Sequence, residues 1–473
     1  MVQEISVNKE FIQREIAQKD SKNIFINSKP HGVMMKGIMI AGTQSGVGKT
    51  TVTLAILRAL LDAGYKVQSY KVGPDFIDPS HLEKITSLPC YNLDSFMMGE
   101  SGVKRELSKS NADFAIIEGA MGLYDGISSC AQIAHITAVP VLLVIDANAS
   151  SESVAATALG FYQYARYTPY KVEIVGVIVN KVGSEKHANA IKTSLEKIGI
   201  RLVGSIKKEL ATIPSRHLGL HMGAEITLSD QALKSIYSNL DIESLISLAE
   251  EVNQETQAEV EKKTKDITVG IPLDAAFCFY YRSNIEALQK DAQIVYFSPL
   301  TERLPDVDGL YIGGGYPELY ARELARNKRL IRGIKNKSTD GMPIYGECGG
   351  LMYLSRSLTT NNGNTFRLVD ALPADVQMTK GRQALGHSEV EAIRDCAIAR
   401  KGDRFRGHEY HYSIADVDTD ATFAYKMIVG AGINGLDGLT EHNILASYHH
   451  AHVYSMPNGF EVFIQKIMEY SKS

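Results

Sequence analysis

Gly42-Thr43-Gln44-Ser45-Gly46-Val47-Gly48-Lys49-Thr50-Thr51 sets glycines, a lysine and two adjacent hydroxyls in ten residues. Small residues let backbone N–H groups curl around phosphate oxygens, and a helix N-terminus behind them adds a positive dipole end. In such a loop Lys49 reaches the β- and γ-phosphates of ATP, the Thr50 hydroxyl binds Mg²⁺, and Gly46, Gly48 and Thr51 shape the cradle. The Walker spacing asks for a glycine six residues before the lysine. Thr43 stands there, with Gly42 one position earlier, and the plain alternative is a Gly-rich turn. The Gly-Lys-Thr ending, between an apolar run and a helical run, favours phosphate.

Four carboxylates and an amide belong with that loop. The apolar run Phe114-Ala115-Ile116-Ile117 ends in Glu118, as a Walker B strand would, which places a carboxylate near the Mg²⁺. Asp125 follows in the loop Met121–Gly126. Lys71-Val72-Gly73-Pro74-Asp75-Phe76-Ile77-Asp78-Pro79 puts one lysine and two carboxylates at another strand end, suited to metal and acceptor positioning, although Pro-Asp and Asp-Pro are also ordinary turn chemistry. Asn180 ends the run 172–181, where it reads either as a contact to the adenine edge or as a plain strand-end turn.

A second chemistry stands far downstream. Gly346-Glu347-Cys348-Gly349-Gly350 has the form G-x-C-x-G after an apolar run and before the helix start Leu351-Met352-Tyr353-Leu354. That is a strand–elbow–helix context for a nucleophilic cysteine, and the helix N-terminus is expected to draw the thiol toward thiolate. A cysteine nucleophile needs a base. Seven downstream histidines are candidates, three of them in Tyr448-His449-His450-Ala451-His452. Strand alternation puts His450 and His452 on one face and His449 on the other. Gly313-Gly314-Gly315 follows another strand and is a candidate second oxyanion donor.

These motifs need strands that end in one plane. Apolar runs at 37–42, 67–73, 114–119, 139–146 and 172–181 alternate with helical stretches, which implies a parallel sheet covered on both faces. After a polar, charged stretch at 246–266, read as an exposed helix and a linker, the pattern restarts at 267–274, 294–298, 309–315 and 343–350 and ends at 443–454. The expected organisation is an N-terminal extension (1–35), a domain carrying the phosphate loop (36–248), a linker (249–266) and a second α/β domain carrying the cysteine elbow (267–473). The 44% hydrophobic and 22% charged content is ordinary for a globular chain. The net charge of -4 gives no basic excess for nucleic acid. The apolar run Ala138–Ile145 falls well short of the about 20 residues that a membrane span needs. Five scattered cysteines without a CxxC pair argue against a metal knuckle or disulfide framework and for a reducing compartment, the cytoplasm.

A phosphate loop in one half and a cysteine elbow in the other resemble the cobyrinic acid a,c-diamide synthase family. GTQSGVGKT, KVGPDFIDP, EGAMGLYDG, RHLGL, DAAFCFYY, GGGYPEL, GECGGLMYL, RGHEYHYS and SYHHAH occur in family order between about residues 36 and 460. The resemblance implies an α/β chain: a P-loop NTPase-type parallel-sheet domain, dethiobiotin synthetase-like, followed by a class I glutamine amidotransferase-like α/β domain. It implies a carbon–nitrogen ligase using ATP and Mg²⁺. Cys348 would release ammonia from L-glutamine with His450 as base. A phosphorylated acetate of a tetrapyrrole polycarboxylate would then become an amide, twice, at the a and c positions. It further implies that Asp75, Asp78, Glu118 and Asp125 position metal, nucleotide and acyl-phosphate. Both cobyrinate, in cobalamin synthesis, and Ni-sirohydrochlorin, in coenzyme F430 synthesis for methanogenesis, are acceptors in this family, and Asn92–Gly99 looks more like the methanogen branch.

Departures from the pattern matter. Gln44 stands where related ATPases carry a signature lysine. His452 stands where many glutaminases carry the carboxylate that orients the base, so the orienter of His450 is unassigned. Oligomeric state is open, a homodimer included. Two other functions compete: a different P-loop ligase, which has no use for Cys348, and a partition-type ATPase, which has no glutaminase activity.

Overall fold

The computed structural model describes residues 35–210, 215–216, 219–220, 228–252 and 266–473. The expected N-terminal extension, most of the RHLGL motif and the centre of the expected linker lie outside these residues. The chain divides into two compact units, with the break near residue 260.

The first unit is built on a sheet of order β3-β2-β4-β1-β5-β6-β7, comprising β1 (Lys36–Gly42), β2 (Val67–Val72), β3 (Tyr91–Leu93), β4 (Phe114–Glu118), β5 (Val141–Asp146), β6 (Ile174–Val182) and β7 (Leu202–Lys207). All six pairings are parallel. Every residue of β2 and β4 is buried, as a strand covered on both faces requires. The helix Lys49–Asp62 buries Leu54, Ile56, Leu57 and Leu60 in this core, each contributing roughly 1.5–3 kcal/mol. Chain order reverses on the two sides of β1. The loops after β1, β2 and β4 therefore open at the same carboxyl edge, where ligands of such sheets sit.

One local expectation differs. Within 246–266, Glu250–Glu251 pairs antiparallel with Lys36 and Gly37 of β1. Ala249 and Val252, which flank this pair, are buried.

The second unit holds a ten-stranded mixed sheet. Its strands are β8 (Thr268–Pro272), β9 (Gln293–Phe297), β10 (Gly309–Ile312), β11 (Ile344–Glu347), β12 (Ala384–Ala392), β13 (Arg404–His411), β14 (Thr422–Val429), β15 (Leu436–Glu441), β16 (Ile444–Ser447) and β17 (His450–Ala451). Their order is β9-β8-β10-β11-β16-β15-β14-β12-β13-β17. From β9 to β16 the pairings are parallel, and beyond β16 they are antiparallel. The buried strand β11 lies between β10 and β16, so the turn leaving it is flanked by the loops of both.

Candidate active sites

The loop after β1 closes on side chains from three other strands. The N–H of Thr43 donates to Val144 O on β5, and Gly48 begins the helix at φ 93°, a left-handed value that favours glycine. A Cβ on Gly48 would collide with Asn180 Nδ2. Asn180 donates to Val47 O (2.8 Å) and accepts from Lys181 N (2.9 Å), so its amide braces the loop from β6. Lys181 Nζ reaches Gly46 O (3.2 Å) and Asp146 (2.6 Å), and is a cation beside the loop that lacks a lysine at position 44. Lys49 Nζ spans the loop to Gln44 O (3.1 Å) and Met121 O (2.6 Å). Burial, and then the charge of Lys71, lower the Lys49 pKa. Thr51 is buried in the first helical turn.

Beneath the loop, Thr50 Oγ1 donates to Glu118 Oε1 (2.7 Å), and Lys71 Nζ donates to the same oxygen (2.8 Å) and to Asp78 Oδ2 (2.5 Å). Asp75 Oδ2 stands 3.9 Å from Lys71 Nζ. Asp75 Oδ1 accepts from Ile77 N, starting the helix Ile77–Thr86, and Asn92 Nδ2 ties down Gly73 O and Asp75 O. Thr50, Lys71, Asp75, Asp78 and Glu118 thus form one cluster. Asp125 is placed differently: its Oδ2 accepts from Gly122 N (3.0 Å), so it shapes its own exposed loop.

The cluster is electrostatically crowded. Burial, only partly opposed by Lys71, pushes Glu118 up to about 7, and burial with the charge of Asp78 pushes Asp75 up to about 7. For Asp78 the upward push of burial is outweighed by the charge and hydrogen bond of Lys71, which hold it down to about 2. For Lys71 burial pulls downward, but the surrounding carboxylates, Asp78 foremost, raise it well above the ordinary value. Glu118 Oε2 is buried and has no hydrogen-bond partner among the described residues. An unpartnered carboxylate oxygen on Glu118, whose other oxygen accepts from the Thr50 hydroxyl, is a hard-oxygen donor of the kind that suits Mg²⁺.

In the second unit β11 ends at Glu347 and leads directly into Cys348, whose φ of 48° and ψ of -90° mark a strained elbow. Its N–H donates to Ser447 O (2.6 Å) on β16, and the helix Gly349–Leu354 starts at once. A Cβ on Gly350 would strike Ile312 O, and one on Gly349 would lie 3.2 Å from Gly315 N, so the elbow's glycines permit close packing on the 313–315 loop. A Cβ on Gly314 would lie 2.7 Å from His450 Cε1, which brings His450 to the same spot. Gly313 N donates to Tyr280 Oη (3.0 Å), so this N–H is engaged within the fold rather than offered to an oxyanion.

The expected depression of the thiol pKa is not found. Burial pushes the Cys348 thiol up, helped by the charges of Glu318, Glu347 and Asp437, and the downward pull of the Gly349 N–H is the smaller effect. A one-turn helix dipole does not offset removal from water, so the thiol needs a base.

The three clustered histidines separate. His449 Nδ1 meets Ser388 Oγ (2.7 Å), and His452 Nδ1 accepts from Tyr454 N (3.3 Å). His450 Nδ1 meets Glu347 Oε2 (3.3 Å), and its ring stacks on His408 at 4.7 Å. Asp437 accepts from Tyr448 N and His449 N and so anchors the segment that delivers His450. Sequence reasoning did not single out Glu347, Asp437 or the convergence of Lys71 on Glu118. Lys71 was visible within its motif. Glu347 was visible only as a charged residue in an otherwise apolar strand end.

Residues 38–220 match the CobQ/CobB/MinD/ParA nucleotide binding domain, and residues 268–457 match the CobB/CobQ-like glutamine amidotransferase domain. The cobyrinate a,c-diamide synthase of Haloarcula marismortui is 44% identical over 424 residues, covering 88% of this chain and 96% of that protein. Its counterpart in Halobacterium salinarum is 41% identical, covering 92% and 98%, and that of Archaeoglobus fulgidus is 39% identical, covering 91% and 97%. With both domains matched and near full-length identity at this level, the chain belongs to the cobyrinate a,c-diamide synthase family and is a nucleotide-binding, glutamine-dependent carbon–nitrogen ligase.

Proposed function

We propose that the protein amidates the a- and c-acetate side chains of cobyrinate with ATP and glutamine. The observation that carries this reading is one chain holding a phosphate loop over the Lys71–Asp78–Glu118 cluster and a cysteine elbow beside His450. In the second unit His450 takes the Cys348 proton and the sulfur attacks the glutamine carboxamide carbon. The carbon–nitrogen bond breaks, His450 returns the proton to the leaving nitrogen, and water then hydrolyses the thioester to glutamate. In the first unit an acetate oxygen attacks the γ-phosphorus of ATP and ADP leaves. Ammonia attacks the resulting acyl-phosphate, and phosphate leaves behind an amide. Lys49 and the loop N–H groups hold the transferred phosphoryl, and Lys71 fixes Asp78 and Glu118. Thr50, Glu118 and Asp75 would hold Mg²⁺, which neutralises phosphate charge when bound.

The five cysteines, all free, suit a reducing cytoplasm. Among the described residues no helix is long and apolar enough to cross a membrane.

Cation binding requires ionised Glu118, which burial pushes up to about 7. Below that value a proton must leave before the metal binds. Mg²⁺–nucleotide affinity is therefore expected to rise about tenfold from pH 6 to pH 8 and then level off. Titration calorimetry on wild type and Glu118→Gln isolates this slope from the nucleotide's own ionisation. Equal slopes in both proteins would remove Glu118 from the metal site.

The acceptor is tested by incubating the protein with ATP, Mg²⁺ and amide-labelled glutamine, and with either cobyrinate or Ni-sirohydrochlorin. Two labelled nitrogens on cobyrinate support the reading. Label on Ni-sirohydrochlorin alone moves the enzyme to the F430 branch, and label on neither acceptor, with glutamine still hydrolysed, rejects both.

A further inference from the structure

Glu347 is fully buried, one residue before the proposed nucleophile, in a strand end otherwise built of apolar and small residues. A carboxylate there is costly unless several donors converge on it. Tyr345 Oη donates to Oε1 (2.7 Å), Tyr311 Oη donates to Oε2 (3.0 Å), and His450 Nδ1 approaches Oε2 at 3.3 Å. Two tyrosines that stack at 5.2 Å thus hold the carboxylate in place against the imidazole. The position two residues after His450, where many glutaminases keep an orienting carboxylate, is occupied by His452, whose Nδ1 is engaged by Tyr454 N. Register explains why a residue so far away in sequence can substitute. Glu347 pairs with Ser447 across β11 and β16, and Cys348 N bonds Ser447 O, so the strand end that fixes the nucleophile also aims the carboxyl at the base arriving three residues later.

We propose that Glu347 is the positioning residue of the glutaminase site, holding His450 with its proton on Nδ1 and stabilising the imidazolium formed when Nε2 takes the Cys348 proton. This rests on the reading of Cys348 as nucleophile and His450 as base. The carboxylate accepts from Nδ1–H, which fixes Nε2 as the unprotonated nitrogen. Proton transfer then creates a cation directly beside a fixed negative charge. Other titratable groups acting on this site are His408, Glu409 and His411 from β13, His449 and His452 beside His450, and Glu318 and Asp437, whose charges act on the Cys348 thiol. Burial, and next the charge of His450, hold His408 well below its ordinary value, so the stacked neighbour is a neutral ring.

The test uses the full chain and alkylation of Cys348 by iodoacetamide, located by mass spectrometry, as a function of pH. In Glu347→Gln the amide oxygen can still accept from Nδ1–H, but the charge is gone. The alkylation rate at pH 7 is expected to fall about tenfold toward that of His450→Ala, with its inflection moved to higher pH. Glutaminase kcat is expected to fall about 10- to 100-fold, with KM for glutamine little changed. A Glu347→Gln protein with the wild-type alkylation profile overturns the proposal. Should that variant not fold, as judged by its thermal midpoint, ¹⁵N imidazole shifts of wild-type His450 decide: a proton on Nδ1 at neutral pH supports the assignment and one on Nε2 overturns it. Wild-type protein that shows the Nδ1 tautomer but hydrolyses no glutamine would reject the glutaminase reading while leaving the Glu347–His450 pair intact, so the two failures are distinguishable.

Discussion

Cys348→Ala is expected to lower glutamine hydrolysis by at least about 10⁴-fold, because the thiol that forms the thioester is removed. Amidation driven by free ammonia should survive within about a factor of two, since the phosphoryl chemistry belongs to the first unit. The variant should also fold: alanine tolerates the φ of 48° about as well as cysteine does, and the elbow's close contacts are made by Gly349, Gly350 and the Ser447 carbonyl. Paired assays with labelled glutamine and with ammonium chloride measure both arms. Loss of both activities in a folded Cys348→Ala protein would refute the division of labour between the two units. Retention of glutaminase activity would remove Cys348 from the chemistry. A different P-loop ligase, which has no use for Cys348, predicts that product formation is the same in Cys348→Ala as in wild type, and the partition-type ATPase predicts no glutaminase in either protein.

Lys49→Ala is expected to lower product formation at least about 100-fold with either nitrogen source, because one fixed positive charge on the transferring phosphoryl is lost. Lys49 lies under the loop with its Nζ held by two backbone carbonyls, Gln44 O and Met121 O, positions that phosphate oxygens can take over. Lys181 and Lys71 do not replace it. Lys181 is paired to Asp146, and Lys71 is committed to Asp78 and Glu118. Glutamine hydrolysis itself should persist in Lys49→Ala, so the two variants fail in opposite arms. Ammonia-driven product near the wild-type rate would take the phosphate loop out of the mechanism.

The residues whose roles were most legible are those fixed by local geometry. The phosphate loop needs a glycine at a left-handed φ immediately before the lysine, and Gly48 stands there; the elbow needs small residues after the nucleophile, and Gly349 and Gly350 stand there. Asn180 and Asp125 were visible as polar groups at strand and loop ends. Their hydrogen bonds nevertheless go to the protein itself, a choice that depends on which backbone groups lie opposite. The thiol of Cys348 shows the limit of local reasoning. A helix start predicts a lowered pKa, whereas enclosure by the sheet and by the carboxylates of Glu318, Glu347 and Asp437 raises it. Desolvation is set by every layer packed above a residue, and no short window of sequence contains that information.

The strand and helix alternation, the two motif-bearing turns and the order of the family motifs along the chain are all legible in the amino-acid order. These follow from periodicity and from glycine at turns, both of which act over a few residues. The tertiary structure alone decided that Lys71 from β2 joins Glu118 from β4 with Thr50 below the phosphate loop. It also decided that Glu347, not the residue at 452, meets His450. Each of those meetings depends on which strands are neighbours and in what register, so residues separated by 47 or by 103 positions touch only after the whole sheet has formed.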